Sequence, residues 1–203
     1  MLFSAIILMT VSILAFNGCK EKPRVLDLPY DQMCDGDLAF RCGLGVFSRA
    51  VTAVEEEGRY SHIGLLFHHN GGWIVVHAVP GEKDSPADFE RVKEESVESF
   101  FSASRAYRGC LVHTGLNDKQ KQHILYGSAL SFVRDSIKFD DKYDLQDTAK
   151  VYCTEFVWLL YKRVRIDLSE GRRRYVKAFN IHNDCLLPEH LLAYKDNEVY
   201  YNF

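Results

Sequence analysis

The sequence predicts an α+β domain in which an antiparallel sheet packs against helices, and three observations carry that expectation. Residues 60–80, YSHIGLLFHHNGGWIVVHAVP, form two apolar runs around an Asn-Gly-Gly turn, the pattern of a β-hairpin. From Cys153 onward the apolar side chains recur at helical spacing instead, with Phe156, Val157, Leu159, Leu160 and Val164 on one wide face. Beyond the first residues, no shift in composition, internal repeat or low-complexity tract suggests a second domain, so strands and helices share one core. At 203 residues and 47% hydrophobic content the chain is long enough to build it. A net charge of -3, no Gly-rich phosphate loop and a basic run limited to Arg172, Arg173 and Arg174 argue against nucleic acid as a partner.

The first stretch differs in kind. Residues 2–16 are an apolar run, followed by Asn17, Gly18 and Cys19 and then by charge. Fifteen residues are short for a bilayer span and typical of a signal-peptide core. A Gly directly before a Cys at the end of such a core resembles a bacterial lipoprotein processing site. The expected division is therefore a signal peptide over 1–18, a lipid-anchored tether over 19–32 and a catalytic domain over 33–203. It makes the protein an exported lipoprotein of the cell envelope, periplasmic or outer-membrane associated, held to the membrane through Cys19. Five further cysteines, Cys34, Cys42, Cys110, Cys153 and Cys185, remain in the domain. An odd number leaves at least one thiol unpaired in an oxidising compartment, and the pairing of the others stays open.

The elements follow in order. DGDLAF, residues 35–40, reads as a turn and a short strand, with Asp37 as a turn-stabilising carboxylate and the flanking Cys34 and Cys42 paired or buried. The hairpin of residues 60–80 places His68 and His69 at its tip. SVESFFSAS, residues 96–104, is expected as a short helix and YRGCLVHT, residues 107–114, as a strand. Asn117 or Asp118 caps a helix reaching about residue 137, with Ile124, Leu125, Leu130 and Val133 inward. FDDKYDLQDTAK is a polar loop leading to the Cys153 helix. Beyond it, GRRRYVKAFNIHNDCLLPEHLLAY reads as loop and short helix before a last strand.

A thiol at the threshold of a helix invites a chemical reading. The helix start leaves backbone N–H groups unpaired, favours a thiolate and lowers a cysteine's pKa. Glu155, in the first turn, is a helix acid without a catalytic part. The hairpin sorts the histidines. An even loop, such as Asn70 and Gly71, sets position 62 opposite 79, so that His62 and His77 share a face as diagonal neighbours about 7–8 Å apart. An odd loop puts them on opposite faces. Two histidines on one face beside Cys153 supply a base and its orienting group. An imidazole takes the thiol's proton and later protonates the leaving group, and a third polar group fixes its tautomer.

GDLAF, YSHIGLLF, VVHAVP and YCTEFVW, in that order over roughly residues 33–195, resemble the circularly permuted branch of the NlpC-type papain-fold superfamily. That branch includes the YiiX-like bacterial amidases and, more distantly, the lecithin:retinol acyltransferase-like enzymes. The resemblance implies a circularly permuted papain-like fold, with the histidine strands before the cysteine. It implies Cys153 as nucleophile, His62 as base and His77 as third, orienting group, as in the acyltransferase-like members. Many YiiX-like sequences carry Glu at that third position. KYDLQDTAKVYCTEFV resembles the family's Tyr-Asp loop before the cysteine. The activity implied is amide hydrolysis on a peptide, such as a peptidoglycan peptide, or on a lipid amide, without cofactor or metal. Three other readings compete: lipid acyl transfer or hydrolysis, a non-catalytic lipid- or peptide-binding lipoprotein, and a zinc site built from Cys153, His62 and His77.

Overall fold

The computed structural model describes residues 26–178 and 180–203, so the signal-peptide reading and Cys19 lie outside the described residues. In chain order the elements are β1 (Leu38–Cys42), α1 (Val46–Val54), β2 (His62–His69), β3 (Gly72–Val79), β4 (Arg91–Ser96), α2 (Val97–Phe100), β5 (Arg108–His113), α3 (Lys119–Arg134), β6 (Lys138–Phe139), β7 (Lys150–Val151), α4 (Cys153–Arg163), β8 (Arg174–Ala178), β9 (Ile181–Cys185), α5 (Pro188–Leu192) and β10 (Glu198–Asn202). Eight strands form one sheet in the order β10-β5-β1-β2-β3-β4-β6-β7, and β8 pairs with β9 as a separate hairpin. Every pairing is antiparallel except the short β6–β7 edge. The expected α+β class with an antiparallel-dominated sheet and several helices is what the chain adopts.

Alternation along the strands divides the core. Leu38 and Phe40 of β1, Ile63, Leu65 and Phe67 of β2, and Val76 and Ala78 of β3 pack against α3 and α4, which contribute Leu125, Ala129, Phe156, Val157, Leu160 and Tyr161. The opposite face carries Ala39, Leu66, Val75 and Leu111 and packs on Val97 and Phe100 of α2 with Leu28 and Met33. Burying each large apolar side chain contributes about 1.5–3 kcal/mol, so both faces matter. Strands covered on both sides need apolar residues at both parities, which is why β2 and β3 read as near-continuous apolar runs. Within the segment expected as a tether, Leu28 is buried, Leu26 packs beside it, and the Tyr30 hydroxyl donates to Glu98 at 2.8 Å.

Several boundaries differ from expectation. The Asp118 cap is as expected, its carboxylate accepting from the N–H groups of Gln120 and Lys121, but the helix ends at Arg134. Its buried positions are Gln122, Leu125 and Ala129, and Ile124 is exposed. The helix expected over 96–104 is a single turn, Val97–Phe100, capped by Ser96. Several elements carry no usable sequence signal. None of the residues of α1 is buried. The inward residues of β4 include the charged Lys93 and Glu95. The β8–β9 hairpin, expected as loop, buries only Val176 and Cys185 and leaves polar residues outward. Its strands offer little apolar periodicity to detect. Cys34, Cys42, Cys110, Cys153 and Cys185 are all free thiols.

Candidate active site

The hairpin loop is the even one. Asn70 and Gly71 both take positive φ (49° and 83°), which a two-residue type I′ turn requires. The register runs from His69↔Gly72 to Leu65↔Val76, and its continuation sets Gly64 opposite His77. Gly64 has no alternative there: a Cβ would lie 3.0 Å from His77 Cβ and 2.4 Å from Val75 Cγ1. Over this gap His77 leans toward its diagonal neighbour, and His62 Nε2 lies 2.8 Å from His77 Nδ1. The two rings meet edge-on at 5.0 Å, and Phe100 covers both. His77 is 0% exposed and His62 6%.

Cys153 is the first residue of α4, after an extended Tyr152 whose N–H donates to the Glu155 carboxylate at 3.3 Å. Cys153 and His62 line the same cavity, about 330 Å³ in volume, together with Arg41, Ser61, Glu82 and Tyr152. The histidine pair lies on the sheet face that carries Phe100, opposite the face packed on α4. Cys153 and His62 share the cavity at the end of β2, where the backbone N–H of Ile63 favours the thiolate. His77 does not line the cavity; it stands behind His62.

The electrostatics correct one expectation. Burial pushes the Cys153 thiol up to about 11 and outweighs the N–H groups of Ile63, Thr154 and Cys153, which favour the thiolate as a helix start should. Burial also holds His62 well below the usual histidine range, helped by Arg41 and by His77. Burial lowers His77 too, and Glu95 opposes the fall. The resting pair is a neutral thiol beside a neutral imidazole.

A group of buried charges behind the histidines escaped sequence reasoning. Arg41, paired in register with His62, is 2% exposed, donates to the Phe100 carbonyl at 2.9 Å and forms an ion pair with Glu82. Glu95 Oε1 is 3.1 Å from His77 Nε2, and Glu95 Oε2 accepts from Arg105 and, at 2.9 Å, from the Ser99 hydroxyl. Burial raises the Glu95 carboxyl, but His77, Ser99 and Arg41 outweigh it and bring it down to about 2. The only available signal was Lys93 and Glu95 two residues apart, before a strand sign that the charges themselves obscured.

The zinc reading of Cys153, His62 and His77 is not the group the fold gathers. Among the described residues, donor atoms within 4.8 Å of one another come from Cys34, Asp37 and His113. The buried Asp37 accepts from His113 Nδ1 (2.9 and 3.0 Å), the Cys34 N–H (2.9 Å) and the Tyr200 hydroxyl (3.0 Å). Its bond to the Cys34 N–H is the turn role expected of it.

The sequence matches no protein-family model and no curated protein. The fold matches the crystal structure of metalloprotein yiiX from Escherichia coli O157:H7, DUF1105, with a TM-score of 0.68 over 85% of this chain and 98% of that one. The two sequences are 17% identical, so what they share is the fold.

Proposed function

We propose that the protein is a cysteine-dependent amidase of the cell envelope, with a circularly permuted papain-like (NlpC-type) architecture and Cys19 as its lipid anchor. The observation that carries the reading is a buried His62–His77 hydrogen bond of 2.8 Å whose front member shares a cavity with a thiol at a helix start. His62 Nε2 is engaged by His77, which leaves Nδ1 for Cys153. In the reaction His62 Nδ1 takes the thiol proton as the sulfur attacks the amide carbonyl carbon. Backbone N–H groups at the start of α4 stabilise the tetrahedral oxyanion. The C–N bond breaks as His62 returns the proton to the leaving nitrogen, and an acyl thioester remains. Water then attacks the thioester, giving its proton to His62, and the carboxylic acid and free thiol are released. Because the thiol is buried and neutral at rest, the thiolate arises only as His62 takes its proton.

The substrate class is a peptide amide, with peptidoglycan peptides as the leading case. A second reading, hydrolysis or transfer of an acyl group on a lipid, is favoured by the cavity walls. The cavity shares Phe47, Val51, Tyr143 and Leu187 with a neighbouring, mostly apolar pocket lined also by Val176, Ile181 and Cys185. Apolar walls suit an acyl chain, whereas a peptide backbone there leaves its N–H and C=O groups unpaired. Wild type and Cys153→Ala incubated with muropeptides and with N-acyl lipids, followed by mass spectrometry, separate the two. Amide cleavage of either class by wild type alone supports the proposal. Cleavage of neither class leaves a binding lipoprotein.

The word metalloprotein for the yiiX structure raises one further question, whether Cys34, Asp37 and His113 hold a metal. Cysteine, carboxylate and histidine are zinc-type donors. The arrangement does not fit: Asp37 already accepts three kinds of donor, and one of them is the His113 nitrogen facing it. No step of the proposed reaction uses this group, and metal analysis of the purified protein tests it.

A further inference from the structure

We infer that Glu95 is a positioning residue for this site, completing a line of four groups, Cys153–His62–His77–Glu95, and thereby selecting the tautomer in which His62 Nδ1 is free to take the thiol proton. The inference rests on the reading of Cys153 and His62 as nucleophile and base.

His77 Nε2 and Glu95 Oε1 are both buried, lie 3.1 Å apart, and among the described residues neither makes a well-aligned hydrogen bond. They are closer to each other than Glu95 Oε1 is to Arg41, at 3.6 Å, so a small rotation pairs them. Glu95 is brought there by register: it pairs with Val75, two residues from His77 on the same face of the sheet. Its position is pinned from three sides, by Arg105, by the Ser99 hydroxyl at 2.9 Å and by Arg41 at 3.6 Å. Lys93, the other charged residue on this face of β4, is turned away to the Glu82 carbonyl and Asp84. Glu82 pairs with Arg41 and with Arg105 at 3.2 Å, so two carboxylates face two guanidinium groups.

Proton placement follows. A carboxylate accepts and never donates, so the proton of a neutral His77 belongs on Nε2. His77 Nδ1 is then a bare acceptor, and the 2.8 Å contact requires the proton of His62 on Nε2. His62 Nδ1 is left with its lone pair. Without Glu95 the reverse chain is equally open: His77 Nδ1–H donates to His62 Nε2, and His62 carries its proton on Nδ1, where it blocks the base. When His62 takes the thiol proton, the positive charge on the pair lies against the Glu95 anion, which offsets the nearby Arg41.

The test uses ¹⁵N NMR of the histidines in Cys153→Ala protein together with iodoacetamide labelling of Cys153, read at the peptide level, in the otherwise unchanged chain. With Glu95 present, both His62 and His77 should be protonated on Nε2. Glu95→Leu should populate the reverse tautomers and slow labelling roughly 10- to 100-fold, the range typical of supporting groups. Glu95→Gln keeps an acceptor oxygen but removes the charge. Its amide can also donate, so it should set the tautomers less strictly than the carboxylate, while the acid limb of labelling moves to lower pH, because the carboxylate is what raises His77's affinity for a proton. Reverse tautomers in the parent overturn the inference, as does a Glu95→Gln protein whose acid limb is unmoved. Should Glu95→Leu fail to fold, Glu95→Gln decides alone. Should Cys153 prove inert in the unchanged chain, the amidase reading falls, and the NMR comparison still decides what Glu95 does.

Discussion

At the scale of the residue, the proposed site gives Cys153, His62 and His77 unequal shares of the work. Cys153→Ala should abolish turnover and leave the fold intact, since a small buried side chain replaces another. His62→Ala should cost about 10²–10⁴-fold, the usual contribution of a general base. His77→Ala should cost less, roughly ten- to a thousand-fold, because it orients the base and moves no proton to substrate. The pH dependence follows from the two opposed shifts. His62 is neutral, and so competent as a base, above a value well below the usual histidine range, and the thiol stays protonated up to about 11. Turnover should therefore hold a broad plateau through neutral pH. Simple thiol alkylation of His62→Ala should rise only at strongly alkaline pH, later than for a free cysteine. An alkylation midpoint for that variant near or below neutrality contradicts this electrostatic picture. The His62–His77 pairing was legible from the hairpin's even-loop reading, and the roles of Cys153, His62 and His77 came from the resemblance and stay proposals. Glu95 and Arg41 were not legible: their parts depend on which strand lies next to β3 and β2, and nothing local encodes that.

At the scale of the element, the β2–β3 hairpin holds the site together, and Gly64 is its weak point. Gly64→Ala would push a Cβ to 2.4 Å from Val75 Cγ1 and 3.0 Å from both Val76 O and His77 Cβ. Overpacking of this kind costs about 1–3 kcal/mol. The denaturation midpoint should fall, and turnover should fall further than stability explains, because His77 is displaced from His62. An unchanged midpoint contradicts the close approach. This hairpin was legible because its turn residues and parity are local properties. So was the Cys153 helix, whose stripe of Phe156, Val157, Leu160 and Val164 is buried as expected, with Leu159 at its edge. The strand β4 was hidden by Lys93 and Glu95, which face inward only because Arg41, Asp84, Arg105 and Glu82 are there to meet them. For α1 the obstacle was different: a helix that buries none of its residues lies at the rim of the cavity, and its placement is tied to the cavity more than to the core.

At the scale of the whole molecule, buried carboxyls link stability to pH. Burial, with Asp140, Asp147 and Asp144 nearby, raises Glu155 to about 8, and burial with Glu189 raises Glu55 to about 7. A carboxyl raised on folding stabilises fully below its ordinary range and loses that contribution as pH climbs through the folded value. Glu95 has the opposite sign, losing its contribution only as pH falls toward about 2. The depressed histidines His62, His77 and His190 act the other way, adding stability as pH rises toward about 6.5, so the thermal midpoint should decline between about pH 6.5 and pH 8, and Glu155→Gln should flatten that decline. A wild-type midpoint constant over this window contradicts it. The α+β class followed from the hairpin, the helices and an undivided composition. The strand order did not, since the long-range pairing of β5 with β1 and β10 joins residues far apart in sequence. Attack of Cys153 on an amide carbonyl with His62 as base is the step on which the proposed function rests. Intact-mass analysis of rapidly quenched mixtures with muropeptides and with N-acyl lipids tests it most directly. The predicted result is an acyl adduct on Cys153 that accumulates and decays in wild type, is absent in Cys153→Ala and forms far more slowly in His62→Ala. Amide cleavage by Cys153→Ala at the wild-type rate, with no adduct in any of the three proteins, would contradict it.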